Sequence, residues 1–368
     1  MVALVLYVQR TEASGVAVGA LLLAASVPRF LGPVAGVIVD RVEQRALMVA
    51  CDAAQVLLFT AIAVLVPPFP ILLALVAVTA VLDTLFAPAG RSAVPALVRP
   101  EQLLRANAWI GTSLNLQVAL GPVLGGLLVA VLGFRGALPA NAATFAVSAM
   151  LLTQLPPLRA PAREEPAGFL AVGVEGLRFA WGTPIVRAMV IALFLGVAFA
   201  AVDNVALVFL VRETLRSGPV AFGLVGGAYG VGMLTGSLGL SWRGTSAAAT
   251  PLFVVGWLAS GAGTILTGLA PIVFVAAVAQ AVAGFGNGVQ NVTIDTLIQG
   301  AVPREMLGRM FGLVATAPVA GATLANGLGG VLLDVTSPRT VFLIGGIGVL
   351  VVLVPIVLVM RRHRSIAG

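Results

Sequence analysis

The sequence predicts an all-α membrane protein made of two parallel repeats of a six-helix unit. Three observations predict it: composition, the length of the apolar runs, and a match of the chain to itself. Of 368 residues, 60% are hydrophobic and 10% charged, with mean hydropathy +1.09. A water-soluble domain must keep a wetted surface and cannot hide that much apolar side chain. Runs such as VFLIGGIGVLVVLVPIVLVM (341–360) reach the about 20 apolar residues that cross a bilayer as helix.

Apolar runs between charged or Pro/Gly-rich breaks place eleven complete spans. They fall at 15–39, 46–66, 70–90, 106–132, 137–156, 186–211, 219–241, 249–269, 272–298, 307–332 and 340–360. The opening MVALVLYVQR has the texture of membrane helix but is too short to span. The predicted organisation is an N-terminal bundle at 1–156, a cytoplasmic linker at 157–184 and a C-terminal bundle at 185–368. The linker mixes charge with Phe169, Leu177, Phe179 and Trp181, the pattern of an interfacial amphipathic helix.

The third observation is internal. ALVLYVQRTEASG (3–15) lies against ALVFLVRETLRSG (206–218) with seven identities in thirteen positions. After one inserted residue a constant offset pairs Gly19 with Gly223, Arg105 with Arg309, Leu124–Gly125–Gly126 with Leu328–Gly329–Gly330, and Arg135 with Arg339. One register shared over that length is the mark of a duplicated unit. In the second copy, residues 186–205 precede the stretch that matches the opening. The first helix is therefore expected to lack its cytoplasmic part, as a mis-called start or a trimmed sequence would produce. A true eleven-span chain with an external N-terminus is the alternative. The chain as written is expected to work poorly or to be unstable in the membrane, and about twenty added, largely apolar residues to rescue it.

All 21 basic residues are arginine. Fifteen lie on the side of the 40–45 turn and five (Arg10, Arg135, Arg212, Arg216, Arg339) on the other. That bias predicts a cytoplasmic 40–45 turn and C-terminus. It also accounts for the net charge of +7 without nucleic acid. The single cysteine, Cys51, cannot form an intrachain disulfide, and the single histidine, His363, leaves a His/Cys metal site without ligands. With no nucleophile–base pair or phosphate loop in the sequence, neither an enzyme nor a cofactor is expected.

GVIVDRVEQR (36–45) resembles the G-x-x-x-D-R-x-G-R-R motif between helices 2 and 3 of the major facilitator superfamily. Gly36, Asp40, Arg41 and Arg45 match, whereas Glu43 stands for a Gly and Gln44 for an Arg. ALGPVLGG (119–126) resembles the antiporter motif G-P-x-x-G-G, here Gly121, Pro122, Gly125 and Gly126. FAPAGRSAVPALVRPEQLLRANA (86–108) has the texture of the macrolide-efflux and siderophore-export branch. The resemblance implies a twelve-helix fold and, as function, proton-coupled export of small amphipathic molecules by a monomer in a bacterial cytoplasmic membrane. It further implies a cytoplasmic gate in which Asp40 meets the positive N-terminus of helix 11 near Arg304–Arg309. The motif glycines would let helix 5 approach its neighbours. A solute importer, or a transport-inactive membrane sensor or scaffold, are the other readings.

Ionisable groups at depth in a bilayer are costly and mark function. Arg29, Asp52, Asp83, Asp203 and Asp295 are the candidates. The resemblance has helices 1, 4, 7 and 10 line the cavity, which singles out Asp83, Asp203 and Asp295, with Asn287 the repeat partner of Asp83. Asp83 and Asp203 are expected to handle protons or substrate. Arg29 either binds an anionic substrate or neutralises a nearby Asp. Asp52 and Asp295 read as charges at the cytoplasmic rim.

Overall fold

The computed structural model describes residues 1–39, 41–99, 102–158, 181–182, 184–243, 249–301 and 307–367. Asp40 and nearly all of the expected linker lie outside them, as do the side chains of Arg91, Asn115 and Asp295 and the surroundings of Gly36.

The first half holds α1 (Val2–Glu12), α2 (Gly15–Ser26), a 3-10 turn (Val27–Leu31), α3 (Gly32–Val39), α4 (Gln44–Leu65), α5 (Phe69–Leu97) and α6 (Leu103–Leu152). The second holds α7 (Pro184–Ala200), α8 (Asp203–Phe209), a π turn (Leu210–Thr214), α9 (Pro219–Arg243), α10 (Ala249–Leu269), α11 (Val273–Ala301), α12 (Leu307–Val335) and α13 (Pro338–Ala367). The repeat appears in the helix ends: 15, 39, 65, 69, 97 and 103 recur at 219, 243, 269, 273, 301 and 307.

The spans differ from expectation in three places. The 15–39 span breaks at Val27–Leu31, where Pro28 has no N–H for the ladder and the chain tightens into 3-10 geometry. The 186–211 span breaks at Ala201–Val202, just before Asp203, whose carboxylate accepts the Asn204 backbone N–H, an amide that also reaches the Ala201 carbonyl at 3.1 Å. The 106–132 and 137–156 spans are joined without a loop, the chain turning back at Gly133 (φ 67°), a conformation only glycine adopts at no cost.

Nine helices among the described residues are long and apolar enough to cross a membrane, and one of them, Leu116–Leu152, contains the Gly133 reversal. Leu116–Leu152 covers two of the expected spans, and the shorter apolar stretch Gly15–Leu31 falls within a third. Leu57, Val131 and Phe274 stand more than 70% exposed, as lipid-facing side chains should. The main core runs through both halves: Leu4, Val8, Val18 and Leu21 pack in one cluster with Val205, Val208, Val225 and Phe342.

Candidate functional site

The break between α7 and α8 places Asp203 in the first turn of α8, half-buried, at the wall of a cavity of about 360 Å³. Both halves build that cavity. Val2, Val118 and Pro122 come from the first, and Val197, Leu207 and Phe222 from the second. Its polar groups come from the second half: Asp203, Asn204, Tyr229, Ser260, Thr264, Gln280 and Asn287. Gln280 is 2% exposed, hydrogen-bonds the Asp203 carboxylate, and keeps its own Oε1 without a partner. Tyr229 lies within Coulombic reach of Asp203. An apolar chamber with one carboxylate and a few amide and hydroxyl groups suits an amphipathic molecule and one exchangeable proton.

Asp203 and Asn287 are thus brought together as the sequence suggested, and Asp83 is not. Asp83 lies in a smaller cavity inside the first half, with Asp52, Gln55 and Ser148. Gln55 Nε2 donates to Asp83 Oδ1 at 2.7 Å. Asp52, expected as a charge at the rim, is 2% exposed. The register explains it, since Asp52 sits one turn before Gln55 on the face of α4 that meets α5. Arg29 is exposed in the 3-10 turn and lies within Coulombic reach of Asp83. Tyr229 went unnoticed because its repeat counterpart is Ala25, so the polarity of one copy does not announce the other.

The halves are closed on each other at the end that carries Ser14. There α2 crosses α12, and α6 crosses α9. A methyl on Gly19 would meet the Asn326 carbonyl at 2.6 Å and the Gly330 Cα at 3.3 Å. In the second crossing, a methyl on Gly126 would meet the Gly223 Cα at 3.1 Å, and one on Gly223 the Pro122 carbonyl. Gly125 packs on Val2 in the same way. Among the described residues no atom lies within 4 Å of where a methyl on Gly121 would sit, so the close approach expected of it is not made here. The crossings are the backbone contacts that small residues allow in membranes.

Polar contacts reinforce this end. The Asp334 carboxylate at the end of α12 accepts the Gly15 N–H at 2.5 Å, the Ser14 hydroxyl at 3.0 Å and the Val16 N–H at 3.3 Å. It therefore sits on the N-terminus of α2, where free amides and the helix dipole favour an anion. Gln9 Nε2 donates to Glu213 Oε1 at 3.0 Å, joining the halves a second time.

At the opposite end, Glu43 explains its own departure from the motif. Its carboxylate caps α4 through the N–H groups of Arg45 (3.2 Å) and Ala46 (2.8 Å), and accepts the Leu158 N–H at 2.7 Å. Arg45 in turn donates to the Leu155 carbonyl at 2.7 Å. Partial burial works to raise the Glu43 carboxyl, but the Leu158, Ala46 and Arg45 amides, with the Arg45 charge, hold it below its ordinary value. A glycine there could do none of this. Arg41 lies exposed in the turn.

The chain matches the family described as transmembrane secretion effector over residues 1–366. It is 30% identical over 326 residues to the multidrug efflux pump Tap of Mycolicibacterium fortuitum, covering 84% of this chain and 78% of that protein. It is 29% identical over 343 residues to the enterobactin exporter EntS of Escherichia coli (strain K12), covering 90% and 80%. Among solved structures, the nucleoside transporter NupG aligns at TM-score 0.74 and 12% identity, covering 98% of this chain and 94% of that one. A bacterial homologue of the iron transporter ferroportin, in its inward-facing state, aligns at 0.70 and 16%, covering 97% and 92%. At those identities the structural likeness speaks for the fold.

Proposed function

Because the chain belongs to the transmembrane secretion effector family of the major facilitator superfamily, we propose that it exports small amphipathic molecules in exchange for protons, from a bacterial cytoplasmic membrane. The observation that carries this reading is the cavity walled by both halves, with Asp203 and Gln280 at its side. A pocket shared between two bundles changes its access when the bundles rock, which is alternating access. The arginine bias assigns the Ser14 end to the outside. The closed crossings then seal the cavity from the exterior, and substrate enters from the cytoplasmic side.

Apolar walls take the body of the substrate, and Asp203 favours a cationic or hydrogen-bonding group on it. A proton arriving from outside neutralises Asp203, which weakens its hold on substrate and allows the return. Asn204, Tyr229, Gln280 and Asn287 supply orientation. The names of the relatives, a multidrug pump and a siderophore exporter, support export of such molecules. Asp40 and Asp295 are retained as gate and rim groups from the family pattern.

Cells making the protein should extrude a fluorescent amphipathic cation such as ethidium, and a protonophore should stop the extrusion. Retention equal to that of control cells, or accumulation above it as an importer would give, contradicts the proposal.

A further inference from the structure

Between α4, α5 and α6, away from the shared cavity, lies a second cavity of about 220 Å³. It is lined by Cys51, Asp52, Gln55, Asp83, Thr144 and Ser148, under the rings of Phe86 and Phe145. Two of its oxygens are buried and unpartnered. Asp52 is 2% exposed and keeps Oδ2 free while Ser148 hydrogen-bonds its side chain. Gln55 is 2% exposed and spends its amide nitrogen on Asp83 Oδ1 and the Thr79 carbonyl, leaving Oε1 free. Asp83, on the same wall, is exposed.

The repeat sharpens the point. Asp52, Gln55 and Asp83 correspond to Gly256, Ala259 and Asn287. In the second half the same helix contact is tight, since a methyl on Gly256 would meet the Gly286 carbonyl at 2.9 Å. One copy closes this interface with glycine, while the other opens it and fills it with oxygen. Burying the Asp52 carboxylate and the Gln55 amide inside a membrane bundle is costly unless something compensates them.

We propose that this cavity binds a sodium ion, held by Asp52, Gln55 Oε1, Asp83 and Ser148. The donor set is all oxygen with no imidazole, which selects hard cations over transition metals. Calcium takes 6–8 oxygens, which these side chains reach only if both carboxylates bind through both oxygens, and magnesium demands a near-octahedral shell. Arg29, within Coulombic reach of Asp83, also opposes a second positive charge. Sodium in this place would tie α4 to α5 and α6, stiffening the first half as a body that moves against the second. The inference goes beyond the export reading and is read by binding alone, so failure of export would leave it intact.

The test is thermal unfolding of the purified protein, titrated with sodium chloride against choline chloride at fixed pH and ionic strength. A saturable rise in Tm of a few degrees with sodium is expected. Asp52→Asn and Gln55→Leu should abolish it, and Asp203→Asn, in the other cavity, should keep it. Should Asp52→Asn fail to fold, radioactive sodium binding to Ser148→Ala should be at least fivefold weaker than to the wild type. No sodium-specific rise in the wild type overturns the proposal. So does an undiminished rise in Asp52→Asn, unchanged binding in Ser148→Ala, or a rise given by calcium and not by sodium.

Discussion

The two helix crossings at the Ser14 end are the same structure built twice, yet only one is fastened. By the repeat, Gly19 on α2 matches Gly223 on α9, and Gly330 on α12 matches Gly126 on α6. Both crossings bring backbone against backbone. Asp334 then binds the N-terminus of α2, while its counterpart is Ala130 and α9 opens on Pro219, which has no N–H to offer. Packing closes both crossings, and one carboxylate decides how firmly the closed arrangement is held. A duplicated fold can thus keep its symmetry in shape and place its control in a single copy.

Packing should matter most. Gly126→Leu puts a side chain against the Gly223 backbone, which cannot yield by changing rotamer. The cost is about 3 kcal/mol, or roughly a hundredfold less of the closed state. Cys51 is the only cysteine and is buried. An Asn204→Cys reporter in a Cys51→Ala background therefore reads access to the shared cavity. External, membrane-impermeant thiol reagent should label it far faster in Gly126→Leu. Labelling at the wild-type rate would mean that the crossing does not seal the cavity.

The latch comes next. Asp334→Asn removes the charge from hydrogen bonds worth about 1–2 kcal/mol, so labelling of the same reporter should rise roughly five- to thirtyfold. Ala130→Asp should give no matching decrease, because Pro219 cannot donate to it. If Asp334→Asn and wild type label alike, the asymmetry of the two crossings has no energetic content.

The far end gives the smallest effect and serves as the contrast. Glu43→Ala removes the cap of α4 and should cost about 1 kcal/mol in thermal unfolding without altering the reporter. The lowered carboxyl fixes the sign of its pH dependence. Its stabilisation is complete above the ordinary carboxylate range and is lost as pH falls through the lowered value. Wild type and variant should therefore converge only in strong acid. Convergence near neutral pH would contradict the hydrogen-bonding seen at Glu43.

The repeat, the apolar spans and the shared-cavity residues Asp203 and Asn287 were legible in the sequence, because each rests on periodicity or register. The burial of Asp52 was not. The residue's nearness in sequence to the charged 40–45 turn suggested a charge at the rim, whereas its helical phase with Gln55 carries it inward. Asp334 escaped notice for another reason: its partners, Ser14 to Val16, lie some 320 residues away in the other half, and no local pattern announces such a contact. Glu43 read as a lapse from a motif, although the lapse supplies a cap.

Uphill transport in proteoliposomes under an imposed pH gradient, compared between wild type and Asp203→Asn, tests the central claim most directly. The wild type should concentrate substrate against its gradient. Asp203→Asn should lose that uphill transport while retaining part of the downhill exchange, since the amide resembles the protonated acid in shape and charge. Uphill transport by Asp203→Asn at the wild-type rate and with the wild-type pH dependence would contradict the assignment of Asp203 as the proton-carrying group.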